Sequence, residues 1–118
     1  MARLSRLFLC GRVLAFFLLT VVRARKKDKG LRISEVFYLL KLALKTAKGC
    51  IDGKELKLTG LVLQKATDYK GILQDLVPHL SQEEMDEQSC LEVEYFILRT
   101  ATVGFHSFLV YATDVELY

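Results

Sequence analysis

The residues of this chain with the most reactive side chains are two histidines and three cysteines. His79 and His106 are the only histidines, and neither stands at a metal-ligand spacing from a Cys, Asp or Glu. Cys50 or Cys90 could join either histidine as nucleophile and base, but any chain with these residue counts allows that pairing. The sequence therefore predicts no catalytic residue, no metal site and no cofactor, and we expect a protein that is not an enzyme.

An acidic cluster in the second half of the chain is the other candidate for chemistry. It comprises Glu83, Glu84, Asp86, Glu87, Glu92 and Glu94. Acids in the first turn of a helix are favoured by the helix dipole, and acids that alternate with apolar residues face solvent on a strand. We interpret the cluster as a solvated surface rather than a cation site.

Cys50 and Cys90 are also candidates for a disulfide. Cys10 lies in the amino-terminal apolar segment, so removal of that segment would leave an even pair. The pair closes a loop of about 40 residues, which the chain-entropy model stabilises by about 4 kcal/mol. Two buried thiols in a reduced protein are the alternative, because free cysteine behaves as a small apolar core residue.

The amino-terminal segment has the composition of a targeting signal. Residues 1–27 contain no acidic residue, carry seven Lys or Arg, and include an apolar run over residues 7–22. A basic start, an apolar stretch and small residues before a cut define a secretory signal. We predict a signal peptide over residues 1–24, with Val22 and Ala24 as the small residues read by signal peptidase. The protein would then be secreted or lie in the endoplasmic reticulum lumen.

Retention of this segment is the alternative. Residues 7–22 would then be a signal anchor, and the protein would be a single-pass membrane protein. Sixteen residues span about 24 Å against a hydrocarbon core of about 30 Å, and Arg12 adds a further cost. Mitochondrial import is less favoured, because transit peptides are usually Ser-rich and amphipathic. A buried helix of an ordinary domain is the last alternative.

Charge separates this segment from the rest of the chain. Residues 1–30 have eight basic and one acidic residue, net +7, whereas residues 31–118 have nine basic and thirteen acidic residues, net −4. We predict no nucleic-acid binding, because the basic residues are concentrated outside the domain. Residues 25–33 are interpreted as a basic linker, and residues 34–118 as one small domain.

The first half of that domain is predicted to hold a helix and a strand. Between Ser34 and Gly49, apolar residues recur every three or four residues, which predicts a helix. Ser34 is a candidate N-cap of this helix and Gly49 a candidate C-terminal stop. Residues 55–64 predict a strand with a bulge at Gly60, and a helix is the alternative there.

Two short helices are predicted in the connection that comes next. Asp68 would cap the first, which would end before Pro78, and Ser81 with Glu84 would form the capping box of the second.

The last 28 residues have a period-two pattern of apolar side chains. Odd-numbered apolar residues from Leu91, and again from Val103, predict two strands, and one long strand with a bulge at Gly104 is the alternative. The expected fold class is therefore α+β: one amphipathic helix packed on a small antiparallel sheet of about three strands, preceded by a hydrophobic leader or anchor helix.

The second face of these strands is a candidate partner surface. Its members are Phe96, Leu98, Phe108 and Val110. Apolar residues on both faces of a strand need cover on both sides, and an uncovered patch marks a contact site. The expected partner is another protein of unknown identity, and association of two copies of this chain is a further expectation.

The order of leader, helix and antiparallel strands is similar to that of cystatins, which inhibit cysteine proteases. Leu56 to Gly60, with the sequence Leu-Lys-Leu-Thr-Gly, loosely resembles that family's first hairpin loop of glutamine, two valines, an apolar residue and glycine. The family's proline-tryptophan loop is missing, because the chain has no Trp. The resemblance is one of layout, and it implies an inhibitor-like function by protein binding.

Two functions are carried forward from the sequence. The first is a small secreted or luminal binding module without catalytic activity. The second is a membrane-anchored accessory subunit, whose amino-terminal helix inserts into the membrane or lies at its surface while the domain docks onto a larger complex.

Overall fold

The computed structural model describes the backbone of residues 2–24 and 32–116, and the side chains of residues 7–24 and 32–104. The elements in these ranges are α1 (Ala2–Ala24), α2 (Ile33–Asp52), α3 (Leu56–Asp75), a 3-10 helix (Val77–His79) and α4 (Gln82–Glu116). No strand is present in the described ranges, so the predicted α+β class with its antiparallel sheet is wrong. The described fold is an all-helical bundle.

The helix predicted from Ser34 to Gly49 is confirmed as α2, with wider bounds. The preceding residue is Arg32, whose side chain does not cap the helix, and Ser34 lies inside the first turn. The buried face holds Val36, Phe37, Leu39, Leu40, Ala43, Leu44, Thr46, Ala47 and Cys50. These positions recur every three or four residues, which is the period of one helix face. α2 therefore forms the centre of the core.

The turn after α2 reverses the chain through a left-handed residue. Lys54 has φ 60°, its N–H donates to the carbonyl of Ile51, and the N–H of Glu55 donates to the carbonyl of Cys50. These two bonds are the Schellman arrangement that satisfies the last carbonyls of a helix. The turn sets α3 back against α2 as an antiparallel helical hairpin.

The strand predicted over residues 55–64 is wrong, because this segment is the first half of α3. Its buried residues are Thr59, Val62, Leu63, Ala66, Tyr69 and Leu73, at helical spacing. Residues 55–64 include four Leu together with Glu, Lys and Gln, all good helix formers, whereas strands favour β-branched and aromatic residues. Gly60 lies in the helix rather than at a bulge. The layout resemblance to cystatins is lost with the strands, since residues 56–60 form no hairpin loop.

The short helix expected from Asp68 is also absorbed into α3, which ends at Asp75, before Pro78. The capping box of the next helix is confirmed. The N–H of Glu84 donates to Ser81 Oγ at 3.2 Å, and the N–H of Ser81 donates to Glu84 Oε1 at 3.0 Å. The helix that this box begins is α4, which is much longer than the one or two turns expected.

α4 replaces the two strands predicted from Leu91 and Val103. Its bundle-facing residues Gln88, Leu91, Tyr95 and Leu98 are buried and follow helical spacing. The odd-numbered apolar residues that suggested a strand include Val93, which is exposed on the other side of α4. No Gly or Pro interrupts residues 82–103, and the segment begins with strong helix formers, so local preference also favours the helix.

Polar contacts fix α4 against both helices of the hairpin. The hydroxyls of Thr67 and Tyr95 are 2.6 Å apart, and the Nζ atom of Lys70 lies 4.8 Å from the centroid of the Tyr95 ring. Lys41 of α2 forms an ion pair with Glu87 of α4. Because these contacts join side chains at fixed positions, they set which face of α4 turns outward.

Candidate functional site

The residues predicted to have the most reactive side chains do not come together in the described structure. His79 is exposed at the end of the 3-10 helix, and the side chain of His106 lies outside the described residues. Glu83 and Glu84 occupy the first turn of α4, as the dipole argument expects. Within the ranges described, no three His, Cys, Asp or Glu side chains are placed to hold a metal ion.

The disulfide predicted between Cys50 and Cys90 is wrong for this fold. Cys50 is fully buried in the core, Cys90 is exposed on α4, and both are free thiols, as is Cys10. The two side chains therefore lie in different environments on different helices. Burial raises the pKa of the Cys50 thiol, and the carboxylate of Glu55 adds to this, while Arg12 opposes it. A protonated, buried thiol is a poor nucleophile.

The most unusual surface in the described structure is the outer face of α1. We define it by its large exposed side chains, Leu7, Phe8, Leu14, Leu18, Val21 and Val22. Each is 49% to 67% exposed. Gly11 and Ala15 lie between them at helical spacing and are also exposed, so the face continues without a polar side chain. A run of this length is what marks an exposed apolar patch as an interaction surface.

The opposite side of α1 packs on the helical hairpin. Val13, Phe16 and Thr20 are buried, and the Thr20 hydroxyl donates to the carbonyl of Phe17 at 2.7 Å. At the end of α1, Arg23 forms an ion pair with Glu35 at 3.3 Å. α1 therefore lies along α2 and contributes to the core.

The two ends of this packing show that α1 and α2 run antiparallel. The end of α1 meets the start of α2 through Arg23 and Glu35, and Leu9 near the start of α1 meets Gly53 after the end of α2. Arg12 lies between them, with its guanidinium nitrogen beside Gly49 and its carbon 5.8 Å from the centroid of the Phe8 ring.

Polar side chains are few on α1, and none of them lies within its outer face. Between Leu7 and Ala24 the only charged or hydroxyl-bearing residues are Arg12, Thr20 and Arg23. Thr20 is buried and Arg23 pairs with Glu35 on the side turned toward α2, whereas Arg12 is exposed, with its guanidinium over the Phe8 ring at the edge of the outer face. A surface helix in water normally has charged and polar residues on its exposed face.

α1 also meets the length and composition requirements for crossing a membrane over Leu7–Ala24, an 18-residue stretch. A signal sequence and the core helix of a soluble protein meet the same requirements. Three residues of the stretch, Val13, Phe16 and Thr20, are buried here. Val22 and Ala24, the predicted recognition residues for signal peptidase, are both exposed at the end of α1, and cleavage after Ala24 stays a prediction.

A second exposed apolar surface lies on α4. We call it the outer stripe of α4, and it comprises Val93, Phe96, Ile97 and Val103. Of the predicted partner surface, Phe96 belongs to this stripe, while Leu98 is buried against the bundle. Phe108 and Val110 belong to α4, but their side chains lie outside the described residues. Val93 and Ile97 were missed because a period of two placed them on the opposite strand face from Phe96.

No protein-family model, curated protein or solved structure matches this chain. The apolar face of α1 could have been found from the sequence, because residues 12, 20 and 23 fall on one side of a helical projection, but its outward orientation follows from the packing of Val13 and Phe16.

Proposed function

We propose that this protein is a non-catalytic accessory subunit held at a membrane surface by the outer face of α1. The observation that carries the proposal is the distribution of side chains on α1: its exposed outer face is apolar throughout, and Arg12 lies only at the edge of that face. Lipid is the environment in which an outward apolar face is stable, because no water has to solvate it. The remaining helices would form a platform on the aqueous side for a protein partner.

The energy available from the outer face is sufficient for membrane binding. A fully exposed Leu, Val or Phe side chain gains about 1.5 to 3 kcal/mol on leaving water. Because the six side chains are about half to two-thirds exposed, lipid contact supplies roughly 6 to 10 kcal/mol in total. The basic residues that follow α1, including Arg25, Lys26 and Lys27, add attraction to anionic lipid at about 1 kcal/mol each.

The packing of α1 favours a position in the plane of the membrane surface over a spanning one. α2 runs along α1 and exposes Lys41, Lys45 and Lys48, and each lysine at the centre of the hydrocarbon costs about 2.5 to 3.5 kcal/mol. A spanning α1 would have to leave α2, which would expose Phe16 and break the Arg23 ion pair. An in-plane α1 keeps these contacts and still presents its outer face to lipid.

The experiment compares two leucines of nearly equal exposure on different helices. Leu18 on α1 is 57% exposed and Leu61 on α3 is 56% exposed. Purified full-length chain is mixed with vesicles of phosphatidylcholine and phosphatidylserine and separated by flotation. We expect Leu18→Gln to lower the partition coefficient about tenfold, since it removes an apolar side chain from lipid. The Leu61→Gln variant should stay within about twofold of the parent chain, because its side chain remains in water.

Equal flotation of the Leu18→Gln variant and the parent chain would contradict the proposal. So would recovery from the culture medium of eukaryotic cells of a soluble species that begins near Arg25, as judged by intact mass. That second result would instead support the secreted binding module, because the membrane-facing helix would have been removed.

A further inference from the structure

The outer stripe of α4 lies on the side of the helix opposite its bundle contacts. Val93, Phe96, Ile97 and Val103 are 56% to 69% exposed, whereas Leu91 and Tyr95 on the other side are buried. The contacts of α4 with α2 and α3 leave the stripe uncovered. The stripe is separate from the outer face of α1, so a contact made through it does not depend on the membrane proposal.

Two residues of opposite charge lie beside this stripe, in positions that would let them pair with the same residues of a second copy. Val93, Phe96, Thr100 and Val103 follow the alternating spacing of a helix–helix seam. Glu92 and Arg99 each precede one of these seam positions, so both lie on the same flank, seven residues apart. Seven residues are two helical turns, which is too far for the two side chains to pair within one helix.

We propose that the outer stripe of α4 binds the same stripe of a second copy of this chain, with the two α4 helices antiparallel. A two-fold axis across an antiparallel pair brings each flank against the same flank of the other copy. Glu92 then faces Arg99 of the second copy, and Arg99 faces its Glu92. A parallel pair would instead place Ile97 opposite Glu92 and Gly104 opposite Arg99, which leaves both charges without a partner.

The same register brings three of the four stripe residues into apolar contact and sets Val103 opposite Asp86 of the other copy. With Glu92 opposite Arg99, Val93 of one copy packs on Phe96 of the other, and Ile97 lies beside Cys90 of the other. The four exposed side chains offer on the order of 400 Å² per copy, against about 800 Å² for a standard stable interface. We therefore expect a reversible dimer with a dissociation constant in the micromolar range.

The first experiment is a charge reversal with rescue. The dissociation constant is measured by sedimentation on the full chain in a nonionic detergent, so that the outer face of α1 is covered. Glu92→Arg or Arg99→Glu should each raise the dissociation constant about tenfold, because each creates two like-charge contacts in a symmetric dimer. The double variant Glu92→Arg with Arg99→Glu should return it to within about threefold of the parent value.

A control separates this effect from a contact inside one molecule. Gln74 Nε2 donates to Glu92 Oε1 at 3.2 Å, so replacing Glu92 also removes this bond. Gln74→Ala removes the bond without reversing a charge and should leave the dissociation constant unchanged. A double variant that stays as weak as the single variants, or single variants that dimerise like the parent chain, would overturn the proposal.

The second experiment tests the register with a native thiol. In an Ile97→Cys variant that also carries Cys10→Ser and Cys50→Ala, mild oxidation should yield a covalent dimer. The antiparallel register predicts that peptide mapping finds residue 97 joined to Cys90 of the other copy. A dimer joined only through residue 97 of both copies, or a chain that stays monomeric on oxidation at concentrations above the measured dissociation constant, would contradict it.

Discussion

Replacement of Phe16 by alanine tests whether α1 belongs to the folded bundle. Phe16 is 2% exposed in the seam between α1 and the hairpin, and its ring contacts the Phe17 ring edge-to-face at 5.5 Å between centroids. Phe→Ala substitutions in protein cores cost about 3 to 5 kcal/mol. Because α1 packs at the edge of the bundle, we expect the lower end of this range, about 3 kcal/mol.

The assay is urea and thermal unfolding of the full chain in a mild nonionic detergent, followed by far-ultraviolet circular dichroism. A loss of about 3 kcal/mol should lower the melting temperature by about 10 to 15 °C for a chain of this size. Leu18→Ala is the matched control, because Leu18 is on the same helix and is 57% exposed. It should change the free energy of unfolding by less than about 1 kcal/mol, since alanine is the better helix former.

Equal effects of Phe16→Ala and Leu18→Ala would refute the reasoning. No change in either variant would mean that α1 unfolds independently of the hairpin. A loss in both of similar size would mean that the two sides of α1 are equally buried, and the assignment of an outer face to lipid would fail with it.

The backbone and the core support four further predictions, each measured by the same unfolding assay. Lys54→Gly should raise the free energy of unfolding by about 1 kcal/mol, because Lys54 holds the left-handed conformation that glycine adopts without strain. Gly60→Ala should raise it by about 0.5 to 1 kcal/mol, since Gly60 lies inside α3 with no atom within 4 Å of an added methyl group. In contrast, Gly53→Ala should give no gain, because the added methyl group would collide with Leu9. Burial raises the folded-state pKa of Cys50 above its unfolded value, so its contribution to stability is complete below about pH 8.5 and is lost as pH rises through the folded pKa. The stability difference between the parent chain and Cys50→Ala should accordingly shrink above that pH, and a constant difference would show that the thiol does not ionise on unfolding.

The sequence predicts the local structure correctly where local signals and the periodicity of apolar residues agree. α2 was predicted because its apolar residues keep a helical period over five turns, and the capping box of Ser81 and Glu84 was correctly identified from two residue types at the right spacing. Both signals depend only on neighbouring residues. These two local predictions therefore hold even when the predicted tertiary arrangement is wrong.

The strands were mispredicted because a period of two and a period of 3.6 share several positions over a short segment. Leu91, Tyr95 and Leu98 fit the helix, and Leu91, Val93 and Tyr95 fit a strand, so the apolar pattern alone did not decide. Residue preference favours the helix, since Glu and Leu are frequent from Gln82 onward. Residue preference also favours a helix over residues 55–64, where a strand was predicted.

Tertiary contacts account for what the sequence could not supply. The spacing of Cys50 and Cys90 carries no information about which helix faces they occupy, so the disulfide prediction had no geometric basis. The apolar run in α1 was recognised, but its orientation depends on the packing of Val13 and Phe16 against α2. Only that packing shows that the apolar half of α1 turns outward.

The depth of α1 in a lipid bilayer is the measurement that tests the central claim most directly. Spin labels are placed singly at Leu7, Leu14 and Val21 on the outer face, in a chain without its native cysteines, and their accessibility to oxygen and to a water-soluble nickel reagent is compared in vesicles. An α1 that lies in the membrane surface predicts one shared, shallow depth for all three labels, because they lie along one side of the helix. A depth that changes steadily from Leu7 to Val21, or labels that remain in water, would contradict the account.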